Sequence, residues 1–554
     1  MSRQRLVQDA GLAVLFASLA YVVLFWQLGA ASFWDPDEAH YAETSQEMVA
    51  TSDWWAPHYN EQPFFDKPAL FHQLQAIAMV GFGPTEFAAR IVPALAALGL
   101  VLVTAWFGSV TRARDTGIVA GLLLVANPGV FGLARYAILD TLFTLFLFGG
   151  AALVSVAALR DRRQLQWPGY AAIAVAVMVK GPLALVLCGL AFGLAIVSSA
   201  ELRQRLIGLR WLAGLALVVL VSSPWFVYMY RRFGDAFVQG YVLDENLRLY
   251  ASSRFANQPN FSFYFGILAA GLLPWTGLVL GRLFDDVRAV FKGERLDAAE
   301  MLLWIWTSVI VVFFTLSTFK LDHYVFPAAP ALCLLCARAW FDVRSARLSP
   351  RHAGARVGLQ LIGPLVVAMG IACGYLLVAR LELPAYAMAV PVTLTAAGVA
   401  FSGLANLRGR LLPRTPWIPL VGLFVTYVCV VALVMPALDR RKVVDDIGRW
   451  VVAHRPVDAP WPRVSSYLLK NSNFRFYVGQ HVTFLEEPAQ ARAFFDEPGP
   501  FYCLMRKETF DAFVEQGIPL RIVYERSGVS ATSGRTLWRG GPPDTRFVLV
   551  TRDR

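Results

Sequence analysis

Charged residues are scarce in this chain. Only 16% of its 554 residues are Asp, Glu, Lys or Arg, whereas 57% are hydrophobic. Ordinary soluble domains carry about 25% charged residues, so the composition excludes a typical soluble protein and predicts a polytopic α-helical membrane protein. The formal net charge of +11 does not indicate a nucleic-acid partner, because the basic residues lie in short connections between apolar runs.

Cysteines are few, and two kinds of sequence signature are absent. The six cysteines are scattered, which gives no disulfide framework. Cys333 and Cys336 have the spacing of metal ligands but no accompanying ligands, so we interpret them as core residues. The sequence has no glycine-rich nucleotide-binding fingerprint and no P-loop. It also has no inverted internal repeat of the kind found in many transporters.

Long apolar runs, by contrast, are abundant. A bilayer core of about 30 Å requires roughly 20 apolar residues per helix, and about 13 segments meet this demand. The first is expected to be a retained helix and not a removed signal peptide, because Trp34 and acidic residues follow it. The predicted spans are 11–29, 87–110, 117–134, 139–158, 169–180, 182–199, 211–230, 262–281, 301–317, 323–341, 357–378, 386–404 and 416–436.

Basic residues predict the orientation of these spans. If the helices alternate, seven connections rich in Arg and Lys fall on one side of the membrane, which identifies that side as cytoplasmic. These connections begin at Arg3, Arg112, Arg160, Arg203, Arg282, Arg338 and Arg408. The opposite side receives the acidic segment 33–66, the loop 231–261 and the C-terminal tail.

The composition changes after Ala437. Residues 438–554 lack long apolar runs and predict a small extracytoplasmic α/β domain with a helix at 507–517. Its predicted strands are 474–478, 500–505, 519–524 and 546–550. We therefore divide the chain into a membrane domain, 1–437, and the domain 438–554. Within the membrane domain, 31–85 is expected to form juxtamembrane helices and 231–261 a long loop on the same side.

The extracytoplasmic side gathers ionisable residues that a simple membrane anchor does not need. In "DEAHYAE", Asp37 and Tyr41 are four residues apart and share one face of a predicted helix. Lys67 precedes Pro68, a favoured residue of the first helical turn. Lys67 therefore either extends to the membrane surface or forms an anion site at a helix N-terminus. The many aromatic residues nearby fit either an interfacial belt or a groove for a sugar ring.

Further along, ionisable residues interrupt the apolar runs. Arg135 and Asp140 flank one turn, where they could form a structural pair. Lys180 lies at a predicted hinge between two helices, and Lys320 occupies another turn on the same side. Ionisable groups at membrane depth are costly and are candidates for function. These groups would suit a polyprenyl phosphate sugar. Cations would bind its phosphate, acids and aromatic rings would contact its sugar, and an apolar groove would hold its polyprenyl tail.

Several motifs resemble those of one enzyme family. "DPDEAHYAE", "FFDKPALFHQLQAIAMVGFGPTEFAARIVPALAALG", "ARYAILD", "KGP", "DENLRLY" and "TLSTFKLDHYVFPAAPAL" follow one another in the membrane part, roughly 10–340. They resemble the aminoarabinose transferases of lipid A and the wider superfamily that includes the protein mannosyltransferases. The resemblance implies a GT-C fold with about 13 transmembrane helices and a C-terminal extracytoplasmic α/β domain.

The resemblance also implies roles for individual residues. Asp37 corresponds to the catalytic carboxylate, Glu38 to the acid that follows it, and Asp140 to a second active-site acid. The residues implied to contact the donor phosphate are Lys67, Arg248, Arg254 and Tyr324. Two departures from the family pattern occur: Ala39-His40 replaces Thr-Arg, and Asp66 replaces the Glu before Lys-Pro.

These observations predict an inverting glycosyltransferase of the bacterial inner membrane whose active site and C-terminal domain face the periplasm. The donor would be a sugar on undecaprenyl phosphate and the acceptor a glycolipid such as the lipid A of lipopolysaccharide. Further substrate-binding candidates are Tyr41, His40, Tyr59, Lys180 and Lys320. This chemistry requires no cofactor. The binding of a divalent metal by Asp66 and His40 is left as an alternative. The protein is expected to be a monomer. The alternatives are a flippase for a lipid-linked sugar and a GT-C enzyme that glycosylates protein or polysaccharide.

Overall fold

The computed structural model describes residues 3–34, 36–251, 259–345, 349–406, 412–455, 460–469, 472–528 and 545–552. Arg254, one of the predicted phosphate ligands, lies outside these ranges. The described part is mostly helical up to Asp439 and contains a five-stranded sheet after it. The predicted class, an α-helical membrane part followed by a small α/β unit, is therefore confirmed. The division at residue 437 stays a prediction.

Helices α1 to α11 form the first half of the membrane part. They are α1 (Arg3–Ala20, continued by a π-helical turn Tyr21–Phe25), α2 (Asp37–Thr51), α3 (Leu70–Phe82), α4 (Glu86–Thr111), α5 (Arg114–Val125), α6 (Pro128–Ala134), α7 (Asp140–Leu159), α8 (Gln166–Lys180), α9 (Leu183–Ser198), α10 (Ala200–Ile207) and α11 (Trp211–Phe233). A short antiparallel hairpin, β1 (His58–Tyr59) and β2 (Gln62–Pro63), separates α2 from α3.

The second half continues this pattern. Its helices are α12 (Asp235–Phe237), the π-helical stretch Val238–Arg248, α13 (Leu249–Ala251), α14 (Phe263–Gly271), α15 (Thr276–Phe291), α16 (Ala298–Leu316), the 3₁₀ turn Asp322–Ala328, α17 (Ala329–Ser345), α18 (Ala353–Gly374), α19 (Ala389–Asn406), α20 (Trp417–Cys429) and α21 (Met435–Asp439). One large apolar cluster runs through both halves.

Fewer helices than predicted are long enough to cross a membrane. Within the described ranges, eight helices have the required length and composition, and up to ten do so if two sharply bent pairs each count as one span. Three further apolar helices, Ala10–Phe25, Leu70–Phe82 and Leu183–Ser198, are shorter than 18 residues. The protein is a multi-pass membrane protein, but the predicted count of 13 spans is not confirmed.

The predicted hinge after Lys180 is present. Helix α8 ends at Lys180 and α9 begins at Leu183, and Gly181 between them has φ +87° and ψ −166°. This backbone conformation is essentially restricted to glycine. A Cβ at Gly181 would also overlap the hydroxyl of Tyr241, in the π-helical stretch. The hinge thereby holds Lys180 at the end of α8 and lets the 238–251 segment pack against it.

The C-terminal sheet has the strand order β4-β3-β5-β7-β6. Strand β3 pairs in parallel with β4 and β5, whereas β7 is antiparallel to both β5 and β6. The strands are β3 (Arg463–Tyr467), β4 (Val482–Leu485), β5 (Phe501–Arg506), β6 (Leu520–Gly528) and β7 (Thr545–Arg552). The helices are α22 (Val444–Ala453), α23 (Ser472–Val478), α24 (Pro488–Asp496) and α25 (Lys507–Glu515).

Both faces of this sheet are covered. Leu504 of β5 belongs to an apolar cluster with α22 and α23, whereas its neighbours Cys503 and Met505 belong to a second cluster with α24 and α25. Alternate strand residues point to opposite faces, so each face packs against its own pair of helices. Three of the predicted strands, at 500–505, 519–524 and 546–550, and the predicted helix at 507–517 are confirmed.

The predicted strand at 474–478 is wrong, because this segment forms α23. Its sequence FRFYV alternates in a strand-like way, but the helix serves two surfaces at once. Phe474 and Val478, one turn apart, face the C-terminal cluster, whereas Phe476 packs edge-on against Phe33 of the membrane part, with ring centroids 4.8 Å apart. Packing between the two parts of the chain has overridden local propensity.

Candidate active site

A single cavity collects most of the predicted site residues. It has a volume of about 270 Å³ and lies where α2, α7, α8 and the 3₁₀ turn Asp322–Ala328 meet. The predicted residues that line it are Asp37, His40, Tyr41, Asp66, Lys67, Asp140, Lys180 and Tyr324. The other lining residues are Phe64, Ile138, Glu245, Leu249, Phe319, Leu321 and His323.

Asp37 is the first residue of α2 and its carboxyl group is partly buried. Helical spacing places His40 and Tyr41 on the same face, one turn further on, as predicted. Burial raises the pKa of Asp37 above its ordinary value of 3.8, and the positive charge of His323 opposes that effect. A carboxylate whose pKa is raised in this way is a better proton acceptor than one in open water.

Glu38 does not line the cavity, although it directly follows Asp37. Its side chain is 0% exposed and accepts hydrogen bonds from Arg90 at 2.7 and 2.8 Å. It also accepts bonds from the main-chain N–H groups of Trp34, at 2.9 Å, and Ala137, at 2.8 Å. Both oxygens are thus engaged in fixing the start of α2. The predicted catalytic role is not supported by this position, and Glu38 is placed as an anchor.

Lys67 points into the cavity but does not begin a helix. Helix α3 starts at Leu70 with Ala69 as its N-cap, which is two residues after Pro68, where the sequence predicted the first helical turn. The Nζ atom donates to the carbonyl of Asp66 at 2.9 Å and lies 3.6 Å from a carboxylate oxygen of Glu245. The ammonium group of Lys67 therefore lies in the cavity beside the carboxylate of Glu245.

A second charged group lies on the other side of the cavity. Asp140, the first residue of α7, forms a buried ion pair with Lys180, and its second oxygen lies 3.6 Å from Nε2 of His323. The Nδ1 atom of His323 is 3.2 Å from Asp322. The ammonium of Lys180 also lies over the ring of Tyr324, 4.7 Å from its centroid. Three elements distant in sequence therefore supply one connected network.

Arg135 and Asp140, for which the sequence allowed a structural pair, have different partners in the structure. Arg135 donates instead to the carbonyls of Trp26, at 2.9 Å, and Gln27, at 3.1 Å, at the end of the first apolar segment. Those carbonyls lie at a helix terminus, where intrahelical donors are missing. The guanidinium of Arg135 therefore satisfies a helix end, and Asp140 takes its charge partner from Lys180.

Aromatic rings form one wall of the cavity. The ring of His40 lies 3.9 Å from that of Tyr59 and 4.9 Å from that of Phe64, between centroids. Burial lowers the pKa of His40 to about 4, with a smaller contribution from the charge of Lys67, so its imidazole is neutral at pH 7. Its Nε2 atom is buried and has no hydrogen-bond partner among the residues that the structure describes. Tyr59 lies behind this wall, where its hydroxyl contacts Ser472 at 2.9 Å.

Two predicted substrate-binding residues lie elsewhere. Arg248 pairs with Asp244 at 2.6 Å, and its side chain is largely exposed. Lys320 donates to the carbonyl of Ser317, within its own turn. Neither lines the cavity. Asp66 and His40 both do, but across the described ranges no three or more His, Cys, Asp or Glu side chains are grouped so that they could hold a metal ion.

Comparison with known proteins gives sequence similarity to membrane glycosyltransferases that are described as using polyprenyl phosphate sugars. The family model described as dolichyl-phosphate-mannose-protein mannosyltransferase matches residues 12–236. The undecaprenyl phosphate-alpha-4-amino-4-deoxy-L-arabinose arabinosyl transferase 1 of Sodalis glossinidius is 31% identical over 362 residues, which are 63% of this chain and 62% of that protein. A transferase of Yersinia pestis with a similar description is 28% identical over 384 residues, 68% of this chain and 66% of that protein. The matched region thus spans less than two thirds of these curated relatives.

Solved structures share the fold over nearly the whole chain. The crystal structure of ArnT from Cupriavidus metallidurans bound to undecaprenyl phosphate has a TM-score of 0.74 at 22% identity, and its apo form a TM-score of 0.76 at 21% identity. Each match covers 98% of both chains. The GT-C fold predicted from the sequence motifs is confirmed.

Proposed function

We propose, on the premise that this chain is a GT-C fold relative of the aminoarabinose transferases, that it is an inverting membrane glycosyltransferase. It would move a sugar from undecaprenyl phosphate or a similar polyprenyl phosphate to a glycolipid such as lipid A. The donor class is supported by the names of the relatives, and the sugar most consistent with them is 4-amino-4-deoxy-L-arabinose. The site would face the periplasm from the inner membrane, and the protein would act as a monomer.

The observation that carries this proposal is the convergence of Asp37 and Lys67 on one cavity. They are 30 positions apart in the sequence, with the rest of α2 and a hairpin between them, yet both line the same space. The cavity therefore offers three kinds of group that the reaction needs, namely a carboxylate, an ammonium group and aromatic rings. The carboxylate can accept a proton, the ammonium can bind a phosphate, and the rings can contact the sugar.

The proposed reaction balances with these groups alone. The acceptor oxygen attacks the anomeric carbon from the face opposite the phosphate, and the bond between that carbon and the phosphate oxygen breaks. The electron pair goes to the departing polyprenyl phosphate, whose added charge is stabilised by Lys67. A hydroxyl acceptor gives its proton to Asp37. If the acceptor is an ionised phosphate, no proton is removed, and Asp37 stabilises the positive charge that develops on the sugar.

The experiment replaces each group in turn and follows transfer by mass spectrometry of the glycolipid product. For Asp37→Asn we expect transfer from a hydroxyl acceptor to fall by roughly 10²–10⁴-fold, with donor binding retained. For Lys67→Ala we expect weaker donor binding together with a loss of roughly 10²–10³-fold in turnover. Matched controls are Asp235→Asn and Lys292→Ala, because both side chains are exposed and neither lines the cavity.

The outcomes also separate an enzyme from a flippase. Undiminished transfer by Asp37→Asn would remove this residue from the mechanism. Unchanged donor affinity in Lys67→Ala would remove the phosphate role of that residue. Movement of the donor across vesicles without any product, in the wild-type protein supplied with acceptor, would support the flippase instead.

A further inference from the structure

The main chain just before Asp37 is held by residues of the C-terminal region. Asp439 accepts hydrogen bonds from the N–H and hydroxyl of Ser32, at 2.9 and 2.7 Å. The next residue, Phe33, donates its N–H to the hydroxyl of Tyr477 at 3.0 Å and accepts a bond from the side chain of Asn473 at 3.1 Å. The segment that leads into α2 is therefore fixed from outside the membrane part.

Arg475 makes the corresponding contacts to α2 itself. Its side chain is 7% exposed and lies with Nε 3.4 Å from Glu43 and Nη2 3.8 Å from Glu47. These two acids are one helical turn apart. The same Nε donates to the side-chain oxygen of Asn60 at 3.1 Å. One guanidinium therefore touches both α2 and the tip of the β1–β2 hairpin.

The hairpin is tied to α2 by the same acids. Glu43 accepts a bond from the N–H of Asn60 at 3.3 Å, and Glu47 accepts one from the N–H of Glu61 at 2.9 Å. Both hairpin residues have positive φ, 50° and 68°, so the turn presents its N–H groups in a fixed direction. The chain then runs from β2 directly to Lys67.

This arrangement is not an efficient way to gain stability. Two buried carboxylates face one guanidinium, and burial raises the pKa of Glu43 well above its ordinary value. Buried ion pairs of this kind contribute little net stability, because desolvation offsets their attraction. They do, however, specify one geometry. Here the geometry that they specify relates the helix bearing Asp37 to the hairpin that leads to Lys67.

We propose that Arg475 is a positioning residue of the active site, which sets the location of Asp37 relative to Lys67 through α2 and the hairpin. This inference rests on the proposed function, since it assumes that both groups act on one donor. It also gives the C-terminal region a structural role, because α23 holds α2 and the β1–β2 hairpin in fixed positions relative to each other. A displacement of about 1 Å in such a site can cost roughly 10²-fold in rate.

Arg475→Lys is the variant that tests this proposal. A single ammonium keeps the charge but cannot reach Glu43, Glu47 and Asn60 together, because it lacks the planar fork of arginine. We expect the turnover number to fall by roughly 10–100-fold, with the dissociation constant of the donor unchanged. Arg475→Met should lose at least as much. The matched control is Arg463→Met, since Arg463 belongs to the same region but pairs with Glu497 at 2.5 Å, within the C-terminal unit.

A double variant distinguishes positioning from simple loss of folded protein. If Arg475 acts through Asp37, Arg475→Lys should cost little further activity in the Asp37→Asn background. Additive losses, or a wild-type turnover number for Arg475→Lys per donor-binding molecule, would overturn the proposal. If the wild-type protein forms no glycolipid product, the proposed function fails. If Asp37→Asn is itself fully active, the role of Asp37 fails and the positioning role of Arg475 fails with it. If Asp37→Asn is inactive while Arg475→Lys is normal, only the positioning role fails.

Discussion

The carboxyl group of Asp37 is under the influence of charges of both signs. Burial raises its pKa most, the positive charge of His323 lowers it, and the negative charges of Asp322 and Asp140 raise it further. A general base must be deprotonated before it can act. His323 is therefore placed to keep Asp37 ionised at lower pH, a role that the sequence analysis did not assign to it.

His323→Gln should change the pH dependence of transfer. Removal of the positive charge raises the pKa of Asp37, so a larger fraction of the carboxyl group is protonated at a given acidic pH. We expect the acid limb of the rate profile for a hydroxyl acceptor to move to higher pH. Initial rates measured across the acidic and neutral range test this. His454→Gln is the control, because His454 is exposed, directly follows α22 and stacks on Trp450. An unchanged acid limb, or one that moves to lower pH, would refute this account.

The adjacent pair Asp37 and Glu38 shows where residue-level prediction ends. Successive helical residues are rotated by about 100°, so only one of two neighbouring acids can face a given cavity. The sequence motif identifies the pair but not which member faces inward. That choice depends on Arg90, 52 residues away, and such a long-range contact leaves no local signal. The same limit applies to Arg135 and Asp140, whose partners Trp26 and Lys180 lie far away in the sequence.

At the level of helices and strands, prediction succeeded where periodicity is strong. The helix that begins at Asp37, the hinge after Lys180 and three C-terminal strands were all correct. It failed for α23, whose Phe476 packs on Phe33 of the membrane part, because the reason for its helical form lies outside the segment. Strands β3 and β4 were not predicted. Strand β3, an interior strand of the sheet, is nearly fully buried, and its short run RVSSY has little apolar character.

The hinge between α8 and α9 offers a test at this level. Gly181→Ala should lower the free energy of unfolding by about 1–3 kcal/mol, because the backbone conformation disfavours a side chain, and the added Cβ should displace Tyr241 as well. Transfer activity should fall, since Lys180 would move from Asp140. Thermal unfolding in detergent and the transfer rate measure the two effects. Gly189→Ala, in α9 with open space around its Cβ position, should be neutral, and a neutral Gly181→Ala would contradict the packing described.

The long helices carry different ionisable groups at their two ends. Helix α7 begins at Asp140 and α8 ends at Lys180, so the connection around Arg160 lies at the far end of both helices from the cavity. Helix α16 likewise begins beyond Lys292 and ends shortly before the cavity turn at Asp322. Buried acids at that far end are paired with arginines, as in Arg112 with Asp342 at 2.6 Å. The exposed basic residues at that end of the helices face the solvent.

This separation predicts which surfaces a membrane-impermeant reagent can reach. We predict that the basic connections lie on the cytoplasmic side, whereas the C-terminal sheet unit is tied to the cavity side through the hydrogen bonds of Phe33 with Tyr477 and Asn473 of α23. In right-side-out spheroplasts, a charged maleimide should therefore label Glu508→Cys, and it should label Lys292→Cys only after the membrane is permeabilised. Both positions are exposed, and the six native cysteines are buried or half-buried, so the wild-type protein gives the background. Labelling of Lys292→Cys in intact spheroplasts would invert the orientation and place the cavity on the side where nucleotide-activated sugars are available, which would remove the reason for a polyprenyl phosphate donor.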